Sequence, residues 1–253
     1  PIQHAALQDR GQTEEDSVWC YPMTPLTEKY RPATLSGFAG LHKQRVVLSK
    51  LAAAPWPSAW LLVGESGTGK TTMALALARE MGAEVHHIPS RKCDLETVQQ
   101  VCDSCHYMPW GGGFHLVLAD EMDQATKPAQ HAFLSKLDAT AFPPMTVFIF
   151  TANDTKNLED RFLSRCRVLR FESGDLADDA VKLMDRIWSI EGAGLAKPDT
   201  RRMFLDAGGN VRAALNALEV ELLTAEPVTA EPVKATAYKW AVDHKGRSYC
   251  VTA

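Results

Sequence analysis

The sequence predicts an α/β fold with a parallel sheet, followed by a small all-helical unit. Five strand-like segments, at 59–63, 84–88, 114–119, 146–151 and 168–171, alternate with helical patterns or polar turns. Strands that alternate with helices and are buried on both faces are typical of a parallel sheet. After residue 171 the strand pattern stops, and the apolar positions indicate amphipathic helices over 175–190, 199–207 and 211–223.

The first predicted strand leads directly into a glycine-rich loop that fits the pattern G-x-x-x-x-G-K-[ST]. Glycines let the loop turn its backbone N–H groups toward phosphate oxygens, the lysine reaches the outer phosphates, and the last hydroxyl binds Mg²⁺. The helix expected at 71–81 points its positive end at the same anion. A nucleotide site is therefore predicted around Gly64, Glu65, Ser66, Gly67, Thr68, Gly69, Lys70, Thr71 and Thr72.

Polar residues end the third and fourth predicted strands. Asp120 and Glu121 follow the third strand, where one carboxylate can hold Mg²⁺ and a second can polarise the attacking water. Asn153 ends the fourth strand and could orient that water by hydrogen bonds. An Asn-Asp pair also favours turns, so a structural role for Asn153 stays open.

Composition limits the classes of protein to which the chain can belong. The chain has 253 residues, 45% hydrophobic and 23% charged, which is typical of a soluble globular protein. It contains no apolar run long enough to span a bilayer, and its polar N-terminal segment does not resemble a signal peptide. With six irregularly spaced cysteines, it is expected to be cytoplasmic and without membrane partners. The net charge of −4 means that any DNA contact needs a local basic patch, for which Arg91 and Lys92 are candidates beside a purely solvated loop.

Several motifs together carry a family resemblance. They are the segments EKYRPATLSGFAG at 28–40 and LSRC at 163–166, the lid sequence GGNVRAALNALE at 208–219, and the loop and strand-end residues above. In this order they resemble the AAA+ ATPases of the clamp-loader type, most nearly the replication factor C small subunits and their phage counterparts. The resemblance covers residues 23 to about 223 and implies an αβα P-loop sandwich with a helical lid.

The resemblance also implies a role for each motif position. Tyr30, Arg31 and Pro32 would line an adenine and ribose pocket, with Gly40 passing close to it, and Asp120 and Thr71 would hold Mg²⁺ beside ATP. Glu121 would be the general base and Asn153 a sensor of the γ-phosphate. Arg165 would act as an arginine finger in a neighbouring subunit's site, and Arg212 would contact the γ-phosphate of its own subunit. A surface salt bridge is the structural alternative for each arginine.

These roles imply an oligomer, a ring or open ring, that acts on DNA, with a sliding clamp as a candidate partner. The expected units are an N-terminal arm (1–22), a nucleotide-binding domain (23–171), a lid (172–223), and a linker with a C-terminal tail (224–253). About thirty residues follow the lid and resemble a linker and tail rather than the family's helical collar. A helicase loader or protein remodeller and a non-hydrolysing nucleotide-binding scaffold remain as alternatives.

Two further features lie in residues 93–113. Cys93, Cys102 and Cys105 are spaced like part of the zinc module of bacterial clamp-loader motor subunits, but Met108 stands where a fourth cysteine belongs. Because Cys102 and Cys105 share an apolar helical stripe, we expect them to be small core residues and not zinc ligands. Trp110 precedes three glycines, which predicts either a mobile aromatic loop or a hairpin-like connection with a packed indole; the second is preferred.

Overall fold

The structure, a computed structural model, describes residues 24–172, 174 and 176–225, together with the backbone of two later strands, Tyr238–Val242 and Ser248–Thr252. The arm expected over residues 1–22 and residues 226–237 of the expected linker lie outside the described residues. None of the helices that the structure describes is long and apolar enough to cross a membrane.

A parallel sheet forms the centre of the described chain. Its strands are β1 (Ser58–Gly64), β2 (Glu84–Ile88), β3 (His115–Ala119), β4 (Thr146–Ala152) and β5 (Arg167–Phe171), in the order β2-β3-β4-β1-β5. β3 and β4 are buried along their whole length, which explains their continuous apolar sequences, whereas the edge strand β2 alternates between exposed and less exposed positions. The predicted parallel sheet is confirmed, and each strand lies within one residue of its predicted ends.

Helices cover both faces of this sheet. The described part of the chain begins with α1 (Leu26–Lys29) and α2 (His42–Ala53), and α3 (Lys70–Met81), α4 (Leu95–Ser104), α5 (Lys127–Lys136) and α6 (Asp160–Arg165) follow between the strands. Leu48 of α2 and Leu77 of α3 belong to the core on one face, while Val98 of α4 and Phe133 of α5 belong to the core on the other. This arrangement is the predicted αβα sandwich.

Local sequence sets several helix ends. Asp94 caps α4 by accepting a hydrogen bond from the Thr97 N–H at 2.8 Å, as the sequence predicts. Thr126 caps α5 in the same way, and Pro128 lies in the first turn of that helix. α3 ends at Gly82, whose φ of 61° lets the chain turn so that the Ala83 N–H donates to the Ala78 carbonyl at 2.9 Å.

The predicted all-helical lid consists of α7 (Ala177–Glu191), α8 (Thr200–Asp206) and α9 (Val211–Thr224). Its buried side chains, including Trp188 and Leu218, join the core cluster of α2 and α3. Glu191, at the end of α7, lies 2.8 Å from the Lys29 ammonium and accepts a hydrogen bond from the Tyr30 hydroxyl. The segment that follows α1 is therefore attached to the lid.

Beyond the lid, β6 (Tyr238–Val242) and β7 (Ser248–Thr252) pair in antiparallel fashion, with Trp240 opposite Cys250. The segment expected to be a tail therefore contains a two-stranded hairpin, and residues 243–247 between its strands lie outside the described residues.

Candidate functional site

The glycine-rich loop joins the end of β1 to the start of α3, and its glycines are required by close contacts and backbone angles. A Cβ on Gly64 would lie 2.3 Å from the Phe171 carbonyl oxygen, so no side chain fits there. Gly67 and Gly69 have φ values of 77° and 94°, which glycine adopts without strain. Gly69 caps α3, so the unpaired N–H groups of the first helical turn face the loop. Glu65 and Ser66 form the exposed tip of this loop.

Lys70 lies folded back into the loop. Its ammonium donates hydrogen bonds to the Gly64 carbonyl at 2.6 Å, to the Glu65 carbonyl at 2.8 Å and to the Asn153 side-chain oxygen at 3.2 Å. Burial lowers the pKa of Lys70, and the nearby carboxylates of Asp123, Asp120 and Glu121 oppose that shift. The loop therefore holds a buried positive charge whose acceptors are backbone carbonyls that phosphate oxygens could replace.

Asp120 is the centre of a hydrogen-bonded group. Its Oδ1 accepts from the Thr71 hydroxyl at 2.9 Å and from the Thr151 hydroxyl at 3.0 Å, and its Oδ2 lies 2.6 Å from His87 Nε2. Oxygen ligands of an octahedral Mg²⁺ site, each about 2.1 Å from the ion, lie roughly 3 Å apart. The Thr71 and Asp120 oxygens therefore have the chemistry and the spacing of two Mg²⁺ ligands.

Glu121 and Asn153 lie beside this group. Glu121 adopts left-handed backbone angles (φ 53°, ψ 52°), and its N–H donates to the Thr151 hydroxyl at 3.0 Å. Its Oε2 accepts a hydrogen bond from the Ser90 hydroxyl at 3.0 Å. The backbone N–H of Asn153 donates to Asp123 Oδ1 at 3.2 Å, and its side-chain oxygen accepts from Lys70 at 3.2 Å. A non-glycine residue in a left-handed conformation is uncommon, and the Thr151 hydroxyl that accepts from the Glu121 N–H helps to hold it there.

A cavity of about 250 Å³ opens beside the loop, between the first segment of the chain and the lid. Its walls include Tyr30, Arg31, Pro32, Gly67, Thr68, Gly69, Thr72 and, from the lid, Leu183, Val211 and Arg212. Ala39 and Leu41 also line it, so Gly40, with φ 62°, lies where the backbone passes the cavity. A larger cavity of about 660 Å³ is lined mostly by polar residues from Asp123 to Arg161 and does not include the loop. The smaller, mainly apolar cavity beside the loop thus has the place and the chemistry to hold a nucleotide base, and it is called the base cavity below.

The two arginines predicted from the motifs occupy different surroundings. Arg212, in the first turn of α9, lines the base cavity and lies close enough to Lys70 to lower the pKa of that lysine further. Arg165, at the end of α6, is bound by Asp138, which lies 2.8 Å from its Nε and 2.6 Å from its Nη2. Arg165 does not line the base cavity. The structure therefore brings Arg212 to the loop but does not bring Arg165 there within one chain.

Lid residue Asn210 lies against the phosphate loop. Its Oδ1 accepts from the Ala213 N–H at 3.1 Å and so caps α9, and a Cβ added to Gly67 would meet the same oxygen at 1.9 Å. Sequence reasoning missed this contact, and it missed His87, Ser90 and Thr151 as partners of the two carboxylates. The only available signal was the position of these residues at or near strand ends.

Cys102 and Cys105 are core residues, as expected from their apolar helical stripe. Cys93, Cys102 and Cys105 are buried, and burial raises the pKa of each thiol, to about 11, 12 and 11 respectively. Cys93 lies 4.0 Å from the sulfur of Met122, in the core beneath α4 and α5. The expectation of a packed Trp110 is wrong, because the indole is 99% exposed.

Comparisons with known proteins agree with this geometry. Residues 60–173 match the family model described as the ATPase family associated with various cellular activities (AAA). The chain is 31% identical over 233 residues to the replication factor C small subunit of Haloarcula marismortui, a match that covers 89% of this chain and 68% of the relative. The chain belongs to the replication factor C small-subunit family of clamp-loader-type AAA+ ATPases.

Other relatives and solved structures extend this result. The replication factor C small subunit of Methanothermobacter thermautotrophicus is 28% identical over 202 residues, which cover 77% of this chain and 62% of the relative. The chain thus spans less than two thirds of the length of several family members. The Thermotoga maritima RuvB Holliday junction branch migration motor superposes with a TM-score of 0.61 at 17% identity, covering 75% of this chain and 64% of RuvB, which shows a shared AAA+ fold.

Proposed function

We propose that the chain binds ATP with Mg²⁺ between the phosphate loop and helix α9, and hydrolyses it as one subunit of a clamp-loader-like assembly that acts on DNA. One observation carries the proposal. Lys70, Asp120, Glu121 and Asn153 meet at the same edge of the sheet, directly beside the base cavity. Membership of the replication factor C small-subunit family supports the assignment of ATP.

Binding would use the loop and the cavity together. Tyr30, Arg31 and Pro32 would enclose the adenine and ribose, and the N–H groups of residues 64–72 would surround the phosphates. Lys70 would transfer its hydrogen bonds from the Gly64 and Glu65 carbonyls to phosphate oxygens. Thr71 and Asp120 would hold Mg²⁺, which supplies positive charge to the transferring phosphoryl group.

Glu121 is the residue proposed to accept a proton from the attacking water. Its constrained backbone and its bond from Ser90 define where the carboxylate lies before the nucleotide binds. Because Ser90 is a neutral partner, the carboxylate keeps its capacity to accept a proton once that bond is released. Asn153 would orient the same water from the neighbouring strand.

The two arginines would act from different subunits. Arg212 would neutralise charge on the γ-phosphate in its own chain, since it already lines the cavity beside the loop. Arg165 would reach the site of an adjacent subunit, because it lies at the end of α6 and away from its own cavity. A fixed cation placed at developing negative charge lowers the barrier to phosphoryl transfer.

DNA is the proposed target of the assembly, and a sliding clamp is a proposed partner. Arg91 and Lys92 are exposed in a short 3₁₀ turn after β2. Because the net charge of the chain is −4, contact with DNA phosphates needs a local basic patch, and these two side chains could form it. Membership of the replication factor C small-subunit family supports DNA as the target.

The decisive experiment measures steady-state ATP hydrolysis by the full chain, alone, with primed single-stranded DNA, and with a sliding clamp added. We expect stimulation by DNA and near-complete loss of turnover in Glu121→Gln. Turnover that is indifferent to DNA would instead favour a protein-remodelling ATPase. Slow turnover that persists unchanged in Glu121→Gln would favour a nucleotide-binding scaffold.

A mixing experiment tests the proposed action of Arg165 between subunits. Arg165→Ala should abolish turnover and leave ATP binding intact, while Arg161→Ala, an exposed position on the same helix, should retain turnover. Mixing Arg165→Ala with Lys70→Ala protein should restore part of the activity, because one hybrid interface then has both an intact loop and an intact finger. Absence of rescue at every ratio would contradict the role.

A further inference from the structure

Two histidines and one cysteine meet at the edge of the sheet opposite β5. His86 lies on β2, His115 begins β3, and Cys105 follows the last residue of α4. One ligand atom from each of these residues lies within 4.8 Å of the others, and the His86 Nε2 and His115 Nδ1 atoms are 3.0 Å apart. Cys105 and His115 are buried, and His86 is partly buried.

Strand register explains why these side chains meet. Glu84 and His86 are two residues apart on one strand and therefore share a face of the sheet. In the β2–β3 ladder Glu84 pairs with His115, which places all three on the face covered by α4. Glu84 Oε1 lies 4.0 Å from His86 Nε2, and Glu84 Oε2 lies 3.9 Å from His115 Nδ1.

We propose that His86, Cys105 and His115, with Glu84 as the fourth ligand, form a structural zinc site. In a tetrahedral zinc site with bonds of about 2.1 Å, the nitrogen and oxygen ligands lie roughly 3.4 Å apart. The observed separations of 3.0, 3.9 and 4.0 Å bracket that value, so small side-chain rotations suffice. Two neutral imidazoles, one thiolate and one carboxylate would balance the charge of Zn²⁺.

The surroundings of the cluster favour metal binding. His115 Nε2 lies 2.9 Å from the Tyr107 carbonyl, and only an N–H at Nε2 can bond that oxygen. The Nδ1 lone pair of His115 therefore faces the cluster, which is the arrangement that zinc-binding histidines adopt. His86 Nε2 lies 3.0 Å from His115 Nδ1, so both rings direct a nitrogen into the cluster. Zinc would displace the Cys105 thiol proton to solvent, so binding releases one proton.

The proposed metal would also organise the loop between α4 and β3, which carries Tyr107 and Trp110. The backbone N–H of Trp110 donates to Glu84 Oε2 at 3.1 Å, and the Tyr107 carbonyl lies 2.9 Å from His115 Nε2, so two points of this loop contact proposed ligands. Tyr107, Met108 and Trp110 are 77%, 73% and 99% exposed. Zinc should therefore slow chymotrypsin cleavage within this loop.

The test uses the full chain after chelator treatment, titrated with zinc chloride against a chromophoric competitor, and with cobalt(II) as a spectroscopic substitute. We expect one equivalent of zinc and a thiolate-to-cobalt charge-transfer band. His86→Gln and Cys105→Ser should each weaken zinc binding at least about 100-fold, because each removes a direct ligand. There are two matched controls. Cys102→Ser changes a buried cysteine within α4, and His131→Gln changes an exposed histidine.

Each outcome decides the proposal. Retained binding in His86→Gln, a change at a partly exposed position, would refute it even if Cys105→Ser fails to fold. Absence of a cobalt–thiolate band, or equal loss of binding in the controls, would also refute it. Glu84→Gln tests the fourth ligand separately: a 10-fold or greater loss supports coordination, and an unchanged affinity removes Glu84 from the ligand set.

Discussion

Replacing Gly67 with alanine tests whether the lid rests on the phosphate loop. The added Cβ would lie 1.9 Å from Asn210 Oδ1 and 2.4 Å from its Cγ, so the Asn210 side chain would have to move. That movement breaks the hydrogen bond from the Ala213 N–H that caps α9. The substitution therefore combines strain in the loop with loss of a helix cap.

The two costs can be separated with Gly82. A non-glycine residue with left-handed backbone angles costs about 1–2 kcal/mol. Gly82→Ala should show this cost alone, since its φ is 61° and nothing lies within 4 Å of the added Cβ. Losing an asparagine cap costs about 1 kcal/mol more. Gly67→Ala should therefore lower the free energy of unfolding by about 2–3 kcal/mol, roughly 1 kcal/mol more than Gly82→Ala.

The assay is urea unfolding of the wild type, both glycine variants, Asn210→Gly and the double variant Gly67→Ala/Asn210→Gly. Glycine at a cap position costs only a few tenths of a kcal/mol, and it removes the side chain that clashes. In the Asn210→Gly background, Gly67→Ala should then cost no more than Gly82→Ala. A coupling energy below about 0.5 kcal/mol would mean that the Asn210–Gly67 contact carries no energy and would refute the reasoning.

Three further predictions concern groups around the same site. Arg165→Ala should change the free energy of unfolding by less than about 1 kcal/mol, measured in urea, because its ion pair with Asp138 is partly exposed; a larger loss would indicate a mainly structural arginine. The pKa of Tyr30 is raised to about 12 by burial and by its bond to Glu191. The folded state thus keeps a phenol proton that the unfolded state releases near pH 10, so the stability of the wild type relative to Tyr30→Phe should fall as the pH rises from 10 to 12. Glu191→Gln should lower the pKa of Tyr30 only part of the way back to 10, since burial is the largest cause of the shift. An ultraviolet titration of the phenol measures this pKa, and no change would exclude the hydrogen bond as a contributor. Lys70→Met should abolish nucleotide binding. The variant should gain no folding stability at alkaline pH, because it has no lysine to titrate. The wild type, whose Lys70 pKa is lowered by burial, should gain stability relative to this variant as the pH rises toward 10.5.

Local patterns were sufficient to predict most of the fold. β1, β3 and β4 are buried along almost their whole length, so their apolar sequences stand out without tertiary information. The phosphate loop is equally local, because Gly64, Lys70 and Thr71 lie within eight residues. The helix boundaries at Asp94 and Thr126 follow from side chains that bond the backbone three residues ahead.

Contacts between distant segments could not be predicted in this way. The bond between His87 and Asp120 depends on the β2–β3 register, and nothing near His87 in the sequence signals a carboxylate partner. Cys105 was interpreted correctly as a buried residue, but its proximity to His86 and His115 again depends on strand pairing. Trp110 was misjudged because the glycines after it permit a loop that directs the indole to solvent.

Asn210 shows how one such contact could couple nucleotide binding to lid movement. The same oxygen caps α9 and lies where a Gly67 side chain would be, so the lid helix begins directly against the loop that is proposed to hold phosphate. Arg212 is two residues further along that helix and lines the base cavity. A nucleotide that draws Arg212 toward its γ-phosphate would therefore move Asn210 relative to Gly67, because both side chains are fixed to the same first helical turn. The contacts of Lys29 and Tyr30 with Glu191 at the end of α7 add a second polar contact between the lid and the segment that lines the cavity. Movement of α9 would therefore act against both this contact and the apolar core that the lid shares with α2 and α3.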